Sequence, residues 1–115
     1  MLGSALVVFA IGALGGVALA SFVLRGRLAP WPLSLLHAAL GAIGLIIVLY
    51  AAFTAGISKA ALTALVILII AALGGFYLAS IHLRSKVATT PIVFVHAGVA
   101  VIGFLTLLGA VFGVL

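Results

Sequence analysis

Long apolar segments separated by short connectors make up nearly the whole sequence. A helix needs roughly 20 consecutive apolar residues to cross the hydrocarbon core of a bilayer. Four segments reach this length, and they cover residues 3–24, 32–53, 60–83 and 91–114. The pattern predicts an all-α integral membrane protein, a single domain (1–115) with four transmembrane helices.

The composition agrees with a membrane location. Hydrophobic residues make up 69% of the chain and charged residues 4%, and the mean hydropathy is +1.70. A typical soluble domain has about 25% charged and 45–50% apolar residues. This chain therefore has too little polar surface to face water on all sides, and the lipid bilayer is its first expected partner.

The second half of the chain repeats the first. Residues 14–44 align without gaps to residues 73–103, and 14 of the 31 positions are identical. We therefore divide the chain into repeat 1, about residues 1–56, and repeat 2, about residues 57–115. Each repeat holds two spans, so both copies have the same orientation and are related by an axis along the membrane normal. The expected architecture is an up-down four-helix bundle made of two parallel two-helix repeats.

All five charged side chains are basic, and their distribution predicts the topology. Lys59 belongs to the second connector, whereas the first and third connectors hold Arg25, Arg27, Arg84 and Lys86. Because cytoplasmic loops carry the excess of Lys and Arg, we expect loops 25–31 and 84–90 to be cytoplasmic and both termini to lie outside, in a bacterial inner membrane. Cations in such loops suit anionic lipids and not nucleic acid, which needs a basic face on a soluble module.

The sequence has no Asp, Glu or Cys, which excludes several kinds of site within this chain. Proton-coupled carriers and cation channels usually depend on intramembrane carboxylates. Catalysis by paired carboxylates and a Ser-His-Asp triad need Asp or Glu. Zinc sites and iron–sulfur clusters held by thiolates need Cys. We therefore expect an electron carrier or an accessory subunit, not an enzyme.

Two histidines occupy equivalent positions of the two repeats. His37 lies five residues after Pro32, and His96 lies five residues after Pro91. The prolines suit the first turns of the second and fourth helices, so both imidazoles are expected roughly 8 Å into their helices from the cytoplasmic ends. These helices lie on a diagonal of the bundle, about 11–14 Å apart. Two imidazoles across such a gap can ligate one central metal, and the iron of a flat macrocycle fits this spacing.

The surroundings of the two histidines suit such a macrocycle. Small residues follow each histidine on its own helical face, and glycines of the first and third helices can clear the edges of the ring system. The glycines concerned are Gly15, Gly16, Gly41, Gly44, Gly74, Gly75 and Gly103. The basic residues Arg25, Arg27, Arg84 and Lys86 have no acidic partner in the sequence, and they are expected to meet heme propionates or lipid phosphates.

One histidine on helix two and one on helix four, each within an HAxxxxxG sequence, resembles the heme-carrying bundle of membrane b-type cytochromes. The resemblance covers the architecture and about 60 residues. It implies one heme b with His37 and His96 as axial ligands of the iron. It also implies electron transfer in the membrane or within a larger complex, with redox partners or other membrane subunits. Quinol-oxidising cytochromes carry two histidines per helix for two hemes, whereas this chain has one per helix. The chain also resembles small uncharacterised bacterial four-helix membrane proteins.

Other interpretations of the same residues stay open. The two histidines can form a structural polar pair, or hold another ligand or metal; zinc is disfavoured because its sites usually have three or four protein ligands. The chain would then be a non-catalytic accessory or scaffold subunit of a membrane complex, or, less consistently with the missing carboxylates, a small transporter. His82, whose repeat equivalent is Val23, is expected to snorkel to the interface; the functional alternative is a propionate contact or a proton entry point. Ser21 and Ser80 are expected to bond to their own helices.

Overall fold

Four α-helices account for nearly all of the structure. The computed structural model describes the whole chain, residues 1–115. The helices are α1 (Leu2–Leu24), α2 (Trp31–Thr54), α3 (Lys59–Leu83) and α4 (Thr90–Val111), and no strand is present. Each helix is long and apolar enough to cross a membrane. The structure confirms the prediction of an all-α chain with four such helices.

Local sequence signals explain where the helices begin and end. Pro32 and Pro91 lie in the first turns of α2 and α4, where the missing N–H has no helical acceptor to lose. The hydroxyl of Ser58 accepts the N–H of Ala61 at 3.1 Å and caps α3. The last helix ends three residues before the predicted bound, because the chain turns at Gly113 with φ +71°.

Both basic connectors begin with the same backbone turn. After α1 the N–H of Arg27 donates to the carbonyl five residues earlier at 2.9 Å, and after α3 the N–H of Lys86 does the same at 3.2 Å. These bonds belong to the Schellman motif, whose penultimate residue takes a left-handed conformation. That residue is Gly26 (φ +70°) in the first connector and Ser85 (φ +56°) in the third. Glycine is suited to this conformation, whereas serine is strained by it.

Consecutive helices pack antiparallel. A Cβ added to Gly12 would meet Leu40, and one added to Gly15 would meet His37, so α1 and α2 run in opposite directions. The backbones are closest within the pairs α1–α2 and α3–α4 and less close in the pairs α1–α4 and α2–α3, and the diagonal pairs are not backbone neighbours. The two basic connectors therefore lie at one end of the bundle. Both termini and the connector 55–58 lie at the other.

Most of the buried core lies in the half of the bundle near the termini. Its largest cluster consists of Ala5, Leu6, Val48, Ala61, Ala64, Leu65, Leu68 and Leu107. Closer to the basic connectors only Ala29, Ile81 and Val93 are buried. The helix segments there form a loosely filled layer, which covers residues 13–24 of α1, 31–43 of α2, 72–83 of α3 and 90–102 of α4. His37 and His96 lie in this loosely filled layer, so packing of the chain on itself is weakest at the level of the two histidines.

Candidate functional site

The His37 imidazole is held against α1 by a hydrogen bond and by a glycine. Its Nδ1 lies 2.8 Å from the carbonyl oxygen of Gly12. Because a carbonyl oxygen only accepts, Nδ1 carries the proton and Nε2 keeps its lone pair. A Cβ on Gly16 would lie 2.9 Å from Cε1 of the ring, which is too close for real side chains. The imidazole therefore occupies the space that Gly16 leaves free.

His96 has equivalent surroundings in the second helix pair. Its Nδ1 lies 2.8 Å from the carbonyl oxygen of Ala71, so His96 has the same tautomer as His37. Its Cε1 lies 3.2 Å from the position of a Cβ on Gly75. The helix backbone beside each histidine thus fixes the ring in the same way, and in both rings Nε2 is the nitrogen that remains available to a ligand.

The two imidazoles lie close together although the backbones of α2 and α4 are not neighbours. Their ring centroids are 6.3 Å apart and their planes are inclined at 85°. Two imidazoles that ligate one ion from opposite sides, with metal–nitrogen bonds of about 2.0–2.1 Å, have centroids roughly 6–6.5 Å apart. No group of three or more His, Cys, Asp or Glu side chains occurs in the structure. The chain can therefore offer an ion two ligands, which suits a metal whose remaining ligands come from a cofactor.

The glycines around the histidines have different neighbours. Gly15 and Gly74 border the imidazole Nδ1 atoms of their own repeats at 3.9 and 3.6 Å, measured from an added Cβ. The Phe9 ring fills the space beside Gly44, and Leu68 and Ile67 fill the space beside Gly103. Only Gly41 of the predicted set has no side chain within 4 Å of an added Cβ. Gly44 and Gly103 thus accommodate side chains of the protein itself, and the space near the histidines comes from the loosely filled layer around them.

The four basic residues of the first and third connectors lie at the end of the bundle nearer to the histidines. All four are exposed: Arg25, Arg27, Arg84 and Lys86. Nε of Arg25 donates to the Ser21 carbonyl at 3.0 Å, and Nε of Arg84 donates to the Ser80 carbonyl at 3.2 Å. Because the sequence contains no Asp or Glu, no side chain of this protein can pair with these cations. Their charges are available to carboxylates or phosphates of a ligand or lipid.

The hydroxyls of Ser21 and Ser80 behave as the sequence predicts. Each donates at 2.6 Å to the carbonyl oxygen three residues earlier in its own helix. This back-bonding satisfies the hydroxyl without a partner from another helix. The two serines therefore do not face a ligand through their hydroxyl groups.

His82 does not snorkel to the interface as predicted, because it packs between α2 and α3. Its ring stacks on Trp31 with centroids 3.9 Å apart and planes 9° apart. Its Nδ1 lies 2.9 Å from Oγ of Ser34, and its Nε2 is buried without a hydrogen-bond partner. One indication of this cluster is present in the sequence: Trp31, Ser34 and His82 each differ from the residue at the equivalent position of the other repeat.

A shallow groove of about 450 Å³ runs beside His96 between α3 and α4. Its walls are mostly apolar and include Ile70, Val95 and Val99, with Tyr77 near one side. No residue of α1 or α2 lines it. This groove is therefore separate from the space between the two histidines.

Known proteins give no match. No protein-family model, no curated protein and no solved structure matches this chain. The resemblance to membrane b-type cytochromes stays a prediction from the sequence. The chemistry of the site therefore rests on the residues and distances described above.

Proposed function

We propose that this chain is a small integral-membrane heme protein of the b type, in which one heme b is ligated by His37 and His96 and serves electron transfer. The observation that carries the proposal is the imidazole pair with ring centroids 6.3 Å apart. In each ring Nδ1 is bonded to a backbone carbonyl, which leaves Nε2 for iron. Proteins commonly orient a ligating imidazole through such a bond to its other nitrogen.

Space and charge support the same proposal. The loosely filled layer surrounds the two histidines, so a large flat group would displace little buried core there. The four exposed cations of the first and third connectors lie toward the same end and would hold the propionates by charge-assisted hydrogen bonds. When bound, heme supplies one-electron chemistry. Two histidine ligands leave the iron no open position, which favours electron transfer over the binding of gases.

The proposed placement in the membrane follows from the repeat and from the loop charges. The chain would consist of two parallel two-helix repeats related by an axis along the membrane normal. Connectors 25–30 and 84–89 would face the cytoplasm of a bacterial cell, because they hold four of the five cations. Both termini would then lie on the outer side of the inner membrane. Electrons would pass to a redox partner or to another subunit of a larger complex.

A second candidate function is that of a non-catalytic scaffold subunit. The observation that favours it is that each histidine bonds a carbonyl of the neighbouring helix in its own pair. Both hydrogen bonds would then clamp α1 to α2 and α3 to α4 without any cofactor. Imidazole centroids 6.3 Å apart at a steep angle also lie within the range of ordinary aromatic contacts.

An absorbance spectrum of the purified protein distinguishes the two candidates. The protein is expressed in heme-replete cells and reduced with dithionite. The heme proposal predicts a Soret band and a sharp α-band in the wild type, with loss or a shift of both bands in His37→Ala and His96→Ala. Thr106→Val is a suitable control, because Thr106 bonds only to its own helix and its substitution should leave the bands unchanged.

The scaffold candidate predicts the opposite pattern. The wild type would be colourless, and the two histidine variants would differ from it only in stability. Loss of a hydrogen bond of this type costs about 0.5–1.5 kcal/mol. A colourless wild-type preparation from heme-replete cells would contradict the heme proposal.

A further inference from the structure

A polar cluster lies at only one of two equivalent helix interfaces. It consists of Trp31 and Ser34 on α2 and His82 on α3, and the equivalent residues of the other repeat are Thr90, Val93 and Val23. The α2–α3 interface therefore has a partly buried imidazole, and the α4–α1 interface has valine in the same place. Packing of the helices does not need these polar residues, since the α4–α1 interface packs with Val23 and Val93 at the equivalent positions.

The contacts of His82 fix its orientation. Stacking on Trp31 sets the plane of the ring, and Ser34 Oγ lies 2.9 Å from Nδ1. A hydroxyl both donates and accepts, so this contact is compatible with either tautomer; in the tautomer in which Ser34 donates to Nδ1, the ring proton resides on Nε2. Nε2 is buried and no group of the protein accepts its hydrogen bond. A buried donor of this kind is costly unless an acceptor binds to it.

The cluster lies at a height that suits a carboxylate of a central cofactor. Ser34 and Trp31 precede His37 by three and six residues, which is about 4.5 and 9 Å along α2 toward the basic connectors. The His82 ring contacts both residues, so it lies between these two levels. The carboxylate arms on the rim of a porphyrin extend a similar distance from the metal at its centre. Because the sequence has no Asp or Glu, a side-chain carboxylate of this protein cannot fill the role.

We infer that Nε2–H of His82 donates a hydrogen bond to one propionate of the heme held by His37 and His96. The inference rests on the proposed function and adds a binding residue to it. Ser34 and Trp31 act as positioning residues, the first by donating its hydroxyl proton to Nδ1 and the second by setting the ring plane. The propionate on the other side has only the basic connectors as partners, because Val23 and Val93 offer no polar group.

A thermodynamic cycle that compares the affinities of two protein variants for two porphyrins tests this contact directly. The proteins are the wild type and His82→Val, which introduces the residue that the other repeat has at this position. The probes are iron protoporphyrin IX and its dimethyl ester, whose esterified propionates carry no charge. Dissociation constants are measured by Soret titration in a neutral detergent without anionic lipid, so that lipid phosphate cannot compete.

The inference predicts that His82→Val weakens binding of the free acid roughly tenfold or more, the size expected for a hydrogen bond to a charged group. Binding of the ester should weaken less, by roughly twofold to tenfold, since the ester accepts only a neutral hydrogen bond. His82→Gln, which keeps an N–H donor near the position of Nε2, should restore much of the lost affinity. The double variant Val23→His, Val93→Ser builds the pair at the α4–α1 interface and should tighten binding of the free acid but not of the ester.

Equal weakening with both porphyrins, or no weakening, would overturn the inference and leave His82 a packing residue. The melting curve without heme shows whether His82→Val folds. If it does not fold, His82→Gln and the double variant Val23→His, Val93→Ser test the contact by the same comparison of the free acid with the ester. The proposed function can fail separately. A wild type that binds neither porphyrin refutes heme binding itself, whereas a wild type that binds both without coupling to His82 refutes only the contact.

Discussion

The position of each imidazole depends on a glycine in the helix beside it. Gly16 and Gly75 let the rings of His37 and His96 approach the backbone closely enough to bond a carbonyl. The sequence predicted the histidines as a pair, because they recur at matched positions of two repeats. It could not predict the hydrogen bonds of either ring, nor the stacking of His82, because these depend on how each helix is rotated about its own axis.

Substitution of Gly16 by Ala should displace His37. The added Cβ would lie 2.9 Å from Cε1 of the ring, so the ring must move and its hydrogen bond to α1 must lengthen. We expect the free energy of unfolding to fall by about 1–3 kcal/mol, the usual cost of overpacking. Heme affinity should fall as well, because the ligating ring loses its orientation. Thermal unfolding in detergent and Soret titration measure the two effects.

Substitutions of two other glycines are the controls for Gly16→Ala. Gly75→Ala should have a smaller effect, since the corresponding distance to the His96 ring is 3.2 Å. Gly41→Ala should raise the free energy of unfolding by about 0.5–1 kcal/mol, because alanine is the better helix former and no atom lies within 4 Å of the added Cβ. Equal effects of Gly16→Ala and Gly41→Ala would show that the ring does not pack against α1.

At the scale of helices and connectors the sequence was most informative. Apolar length predicted four helices, and the prolines predicted the starts of α2 and α4. The end of α4 was misplaced by three residues, because the apolar pattern continues to residue 114 although the chain turns at Gly113. Apolar periodicity does not report such a turn. The matching turns after α1 and α3 became evident only from backbone angles, since one has Gly26 and the other Ser85.

Substitution of Ser85 by Gly should stabilise the protein. Ser85 has φ +56°, and a non-glycine residue in the left-handed region costs roughly 1–2 kcal/mol. The equivalent Gly26 shows that glycine supports the same turn. We expect the free energy of unfolding of Ser85→Gly to rise by about 1 kcal/mol, measured by denaturant unfolding in detergent.

The reverse substitution is the matched control. Gly26→Ser should lower the free energy of unfolding by a similar amount, because it places the strained residue in the first connector. A decrease in stability for Ser85→Gly would indicate that the serine side chain makes a stabilising contact that outweighs the backbone strain.

At the scale of the whole molecule, packing is polarised along the bundle. The buried cluster occupies the half near the termini, and the half near the basic connectors contains the histidines, the loosely filled layer and the exposed cations. The sequence did not predict this polarity, because apolar residues are equally abundant in both halves and depth of burial depends on helix splay. Because of this polarity, the half near the termini can hold the chain together while the half near the basic connectors accommodates a cofactor.

The orientation of the bundle can be tested with single cysteines, since the sequence has none of its own. Ala55→Cys lies in the second connector and Val87→Cys in the third, and both positions are exposed. If the basic connectors are cytoplasmic, a membrane-impermeant maleimide should label Ala55→Cys in intact cells. It should label Val87→Cys only after permeabilisation. The reverse pattern would contradict the topology assigned from the loop charges.

The central claim is that the two histidines of a single chain share one heme, and the molar ratio of heme to protein tests it most directly. Heme is quantified as its pyridine complex and protein by amino-acid analysis, on the purified wild type and on His37→Ala. Ligation of one heme by both histidines predicts one heme per 115-residue chain in the wild type and a strongly reduced ratio in the variant. A ratio near zero, or one heme per two chains, would contradict a site built from His37 and His96 of the same molecule.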